Sequence, residues 1–256
     1  MQTKYPILLV HGIALKNGRF FKAFGKIGKM LKSKGYCVYV SGHDGFGTIE
    51  NNAGQLKKQI DEILIKEKAE KVNLIAHSKG GLDCKYLIGE FQIEDKVASL
   101  TTLCTPHKGS PVASKIMKCP EWMLKFIAFW LDFWYRIFGD KNPDSYNVCK
   151  ELQRHNDDEL CLFTQKVYCQ SFSTKIERVR DDFILGIPFI FSRYCESGAT
   201  DGLVPVESAK FANYRGSLPD PLSHSQIVDF FTSKKKKEIV YSFYYSICEE
   251  LAAMGF

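Results

Sequence analysis

The sequence predicts an α/β fold, a mostly parallel central sheet with helices on both faces. Three observations predict it. Strand-like and helix-like patterns alternate along the chain. The chain has 256 residues, enough for one such domain with an insertion. A serine follows an apolar run directly and precedes a helical pattern, as a tight strand-to-helix turn requires.

In order, strands are expected at 6–10, 36–41, 71–76, 97–104 and 166–172. Helical patterns fall between and after them, at about 19–34, 51–68, 80–89, 225–231 and 235–252. The alternation breaks between 111 and 160, where an insertion replaces the next helix. A second irregular stretch covers 174–200. No repeat or low-complexity linker divides the chain. The expectation is one domain over 1–256, with 111–160 as a lid or cap within it.

The serine is Ser78, in Ala76-His77-Ser78-Lys79-Gly80 after Val72-Asn73-Leu74-Ile75. This is the setting of a nucleophile elbow, which holds its serine in a strained conformation and needs small neighbours two residues away. Gly80 and Ala76 are those neighbours, Ala76 standing where glycine is usual. A plain helix-capping serine is the alternative. Near the start, Pro6 to Val10 reads as a buried strand and runs into His11-Gly12-Ile13. Acyl transfer builds negative charge on a carbonyl oxygen, and preorganised N–H donors must meet it. The amides of Lys79 and Ile13 are the candidate donors, with His11 and Gly12 beside the substrate. The alternative is a strand ending in a glycine turn.

Nucleophile, carboxylate and histidine follow one another in the order of an α/β-hydrolase triad. Asp201 begins Asp201-Gly202-Leu203-Val204-Pro205, and His224 follows the rigid Pro219-Asp220-Pro221. Of six histidines, His224 alone lies late enough in a suitable loop. The rivals of Asp201 are Glu196 and Asp220. Asp83 reads as a solvated helix residue, and Asp44 as a turn residue.

Residues 6–12, 71–81, Thr105 to Ser110 and Asp201 to Pro205 together resemble the bacterial triacylglycerol lipases, the true-lipase branch of the α/β hydrolases. The resemblance covers roughly 4–110 and 160–230. It implies a serine hydrolase of long-chain carboxylic esters, and a lid that opens at a lipid surface. An esterase, phospholipase or acyltransferase uses the same triad, and a non-catalytic lipid-binding member of the fold is the rival from another class. Many members hold a structural calcium with an aspartate two residues after the histidine. Here that residue is Gln226, a weak ligand for a hard cation. No calcium and no other metal or cofactor is expected.

The insertion points to the substrate. From Glu121 to Phe138 the charged residues Glu121, Lys125, Asp132 and Arg136 share one stripe, and nearly everything else is large and apolar. Four charges argue against a membrane span. A buried helix and a lid remain, and the lid is the expectation, with Phe126, Trp130 and Trp134 offered to acyl chains. Tryptophan favours membrane interfaces.

The net charge of +6 permits contact with anionic surfaces, but no nucleic-acid module is present. The Lys234–Lys237 block is expected to face solvent. Nine cysteines include no C-x-x-C pair, and Cys37, Cys104 and Cys169 read as core residues. No signal peptide is expected before the first strand. The expectation is a cytoplasmic chain, membrane-peripheral at most.

Overall fold

The computed structural model describes residues 2–13, 22–153, 162–178, 181–182 and 198–256. A six-stranded sheet forms the centre, in the order β2-β1-β3-β4-β5-β6. The strands are β1 (Ile7–Val10), β2 (Val38–Val40), β3 (Val72–His77), β4 (Val97–Leu103), β5 (Tyr168–Ser173) and β6 (Asn213–Ser217). Every neighbouring pair is parallel.

Alternation along β1 explains the layers. Leu8 and Val10 pack on one face with α2 (Ile49–Glu67) and α3 (Lys79–Glu90), among Leu56, Ile60, Cys84 and Leu87. Ile7 and Leu9 pack on the other with α1 (Ile27–Ser33) and the last helix. There they meet Ile27, Leu31, Tyr244 and Ile247. Successive side chains of a strand point to opposite faces, so a strand apolar at every position needs both helical layers.

Between β4 and β5 the described residues of the insertion form helices α4 (Pro111–Ile116), α5 (Glu121–Ile137) and α6 (Ser145–Glu151). The chain closes with α7 (Lys234–Ala253), capped by the Ser233 hydroxyl.

Several expectations change. The pattern at 225–231 forms only a single 3-10 turn, Gln226–Val228. The edge strand β6 was not expected, because Asn213-Tyr214-Arg215-Gly216-Ser217 is polar. Cys37 is exposed, since it precedes the strand rather than lying within it. Asp83 is fully buried. Among the described residues no helix is long and apolar enough to cross a membrane.

Candidate active site

Ser78 sits between β3 and α3 with φ 56° and ψ −133°. A non-glycine residue in that region costs free energy, so its surroundings must hold it there. Its amide donates to the Leu103 carbonyl at 3.0 Å, and its carbonyl accepts from Gly81 N at 3.0 Å. A side chain at Gly80 would run into the His11 carbonyl, so glycine is required where the elbow passes β1. Ala76 is fully buried in β3 and fits without a glycine.

The loop after β1 lies against this turn. A Cβ placed on Gly12 would lie 2.6 Å from Ser78 Cβ and 3.0 Å from Lys79 N. Gly12 and the Lys79 amide are therefore neighbours, and Ile13 follows at the exposed rim. His11 follows β1 directly, and its ring is buried and stacks on His43 at 4.0 Å between centroids.

Two distant loops complete the site. With the imidazole proton on Nδ1, the Ser78 hydroxyl donates to His224 Nε2 at 2.8 Å. His224 Nδ1 then donates to Asp201 Oδ2 at 2.7 Å. The second oxygen, Asp201 Oδ1, accepts the amides of Leu203 at 2.9 Å and Val204 at 2.8 Å. The turn after Asp201 thus fixes the carboxylate. His224 N also donates to the Asp201 carbonyl at 3.0 Å, which ties the two loops together by backbone. Asp201 and His224 are buried and Ser78 is half-buried, so water and substrate approach from the serine side.

His77 lies beneath, its ring 4.5 Å from that of His224. Burial, reinforced by the His224 charge, holds its pKa well below the usual histidine range. His77 is thus a neutral ring beside His224. Cys104, Asp201 and His224 form the one group of metal-ligand type among the described residues, with ligand atoms within 4.8 Å. The last two are already committed to each other at 2.7 Å.

Behind the elbow lies a network that the sequence reading missed. Lys79 Nζ reaches Asp83 Oδ1 at 2.5 Å, and Asn52 Nδ2 donates to Asp83 Oδ2 at 3.1 Å. The signal was the i,i+4 spacing of Lys79 and Asp83 on one helix.

Helix α5 meets the rest of the fold through Ala128, Asp132 and Tyr135, while Glu121, Lys125 and Arg136 of its polar stripe stay exposed. Asp132 Oδ1 accepts from Ser145 N at 2.8 Å, and Tyr135 packs on Phe46 at 4.5 Å. Ala128 is its one buried residue. Trp122, Phe126, Phe129, Trp130, Phe133 and Trp134 are all exposed. Trp130 and Trp134 make ring contacts with Phe129, Phe133 and Phe138, all on or directly after α5. Phe126, Trp130 and Trp134 therefore belong to an exposed face of α5.

A family model described as palmitoyl protein thioesterase matches residues 6–155. Triacylglycerol lipase 2 of Saccharomyces cerevisiae is 31% identical over 259 residues, covering 89% of this chain and 72% of that protein. The chain belongs to the lipase family of carboxylic ester hydrolases. Triacylglycerol lipase of Burkholderia plantarii is 39% identical over 116 residues, 43% of this chain and 32% of that one. The chain thus spans only about a third of that bacterial lipase. In structure it is similar to lipase 1 of Pelosinus fermentans, with a TM-score of 0.65, 18% identity, and 98% and 99% of the two chains covered. Mature Bacillus licheniformis lipase BlEst2 gives 0.66 at 19% identity, covering 96% and 92%. These two likenesses establish an α/β-hydrolase fold.

Proposed function

We propose that this lipase-family chain hydrolyses long-chain acyl esters, acylglycerols first, through a covalent acyl-enzyme. The observation that carries this reading is the unbroken chain Ser78 Oγ–His224 Nε2 at 2.8 Å and His224 Nδ1–Asp201 Oδ2 at 2.7 Å. His224 takes the Ser78 proton as Oγ attacks the ester carbonyl. Asp201 keeps the imidazole in the right tautomer and stabilises its charged form. The amides of Ile13 and Lys79 receive the oxyanion. The protonated His224 then gives its proton to the leaving alcohol. Water, activated by the same histidine, releases the acid and restores Ser78.

Residues 111–160 act in this reading as the lid or cap, and the exposed aromatic face of α5 meets lipid. An exposed aromatic stripe on α5 supports a segment that lies in the interface plane. The substrate is accordingly a lipid ester. A second reading, an acyl thioester, is favoured by the family model that matches 6–155. The same triad serves both.

The test is labelling by a fluorophosphonate, followed by rates on emulsified triglyceride, p-nitrophenyl esters of graded length and palmitoyl thioester. Wild type is expected to label at Ser78 and to prefer long acyl chains. Ser78→Ala is expected to lose label and about a millionfold in turnover. Unlabelled, inactive wild type would overturn the reading, and a thioester preference would move it to the second.

A further inference from the structure

Lys236, on the first turn of α7, is half-buried, whereas Lys234 and Lys235 of the same block are exposed as expected. Its Nζ donates to Gln226 Oε1 at 2.8 Å and to the Asp181 carbonyl at 3.2 Å. Gln226 lies two residues after His224. Its Nε2 donates to the same Asp181 carbonyl at 2.9 Å, and its Oε1 also accepts from Ser223 N at 3.2 Å. Ser223 and Ser225 flank His224, and both hydroxyls donate to Asp182 Oδ2, that of Ser225 at 2.8 Å. The next lysine makes a parallel contact, Lys237 Nζ lying 3.3 Å from Asp229 Oδ1 at the far end of the loop. The segment carrying His224 is thus tied on both sides, and an ammonium sits at the centre of the ties.

This is where the family resemblance implies calcium, and the described residues there do not fit it. Calcium takes six to eight oxygen ligands, carboxylates prominent among them. Gln226 supplies a neutral oxygen. The Asp181 carboxylate is turned to the amides of Glu177 at 3.0 Å and Arg178 at 2.8 Å. Asp182 is engaged by the two serines. A cation already faces the Gln226 and Asp181 oxygens. Burial pulls the Lys236 pKa down, while the nearby charges of Asp181, Asp182 and Asp220 push it up.

We propose that the Lys236 ammonium is a built-in positioning cation. It holds Gln226, and with it the loop carrying His224, in the register where Nε2 meets Ser78, and it stands in the place of a metal ion. The proposal rests on the ester-hydrolase reading for its kinetic readout. A misplacement of about 1 Å at a reacting group costs about a hundredfold in rate.

The experiment uses the full chain with Lys236→Met and Lys236→Arg, a soluble p-nitrophenyl ester, fluorophosphonate labelling and the low-field proton resonance of the His224–Asp201 hydrogen bond. Lys236→Met is expected to lower kcat and labelling rate about 10- to 100-fold with KM changed less than about twofold, and to broaden the resonance. Lys236→Arg is expected to recover most of both. Chelator and added calcium are expected to leave wild type unchanged. Wild-type kcat and a sharp resonance in Lys236→Met would overturn the proposal, and so would wild type that needs calcium. Should Lys236→Met fail to fold, Gln226→Met removes the acceptor instead and carries the same expectation. If wild type itself neither labels nor turns over, the hydrolase reading falls, while the resonance still decides the positioning role.

Discussion

Lys79 Nζ lies 2.5 Å from Asp83 Oδ1, and both side chains are buried directly behind the Ser78 turn. Lys79 thus presents its amide to the site and its ammonium to the interior. Burial pushes the Asp83 carboxyl up to about 6, against the pull of Lys79 and the Asn52 amide. Asp83→Asn strands the ammonium and is expected to cost about 3–5 kcal/mol of stability, read as a urea midpoint. The apolar pair Lys79→Met with Asp83→Leu is expected to recover most of that loss. Asp83→Asn as stable as wild type would mean that the pair contributes nothing.

Gly12→Ala is expected to lower turnover about 100- to 1000-fold, the range for loss of one oxyanion donor. The new methyl would meet Ser78 Cβ at 2.6 Å, so the loop carrying Ile13 must retreat. Single-turnover kinetics on a soluble ester checks it. Undiminished turnover would remove Ile13 from the oxyanion site.

Acid is expected to destabilise the fold. Burial holds His77 and His107 well below the usual histidine range. Each contributes stability that is present above about pH 6.5 and lost as pH falls, at up to about 1.4 kcal/mol per unit. Asp83, raised to about 6, works in the opposite direction, losing stability as pH rises from about 4 to 6. Glu151, also raised by burial, works with Asp83. The two deeply buried histidines outweigh these carboxyls, so urea midpoints should fall from pH 6.5 to 5. His107→Gln halves the histidine contribution and should nearly flatten the profile. An equally steep profile in that variant would sink the account.

Trp122 and Phe129 stand on the outer face of α5, 74% and 65% exposed. Changing both to serine is expected to weaken binding to phosphatidylglycerol vesicles by about 1.5–3 kcal/mol per residue. Emulsion hydrolysis should fall in step while soluble-ester turnover holds. Equal loss on both substrates would mark the face as a packing surface.

Legibility in the sequence followed the range of each signal. The elbow was readable because its constraints are local, a serine with small residues on either side. β1 and β3 were readable because strands buried on both faces are continuously apolar. Asp201 and His224 were found by order and loop context, although their meeting depends on the whole sheet. β6 was invisible because an edge strand with polar side chains carries no apolar pattern. Asp83 and Lys236 were misread for a shared reason. A charged residue on a helix reads as solvated until a partner from elsewhere in the chain is known.

The parallel sheet has a consequence for how the protein is assembled. Ser78 emerges in the first third of the chain, but its histidine arrives only after β6, at residue 224. A nascent or truncated polypeptide can therefore display the serine without a base to activate it. Covalent capture of Ser78 would count finished molecules in a refolding mixture, and premature chains would stay chemically silent.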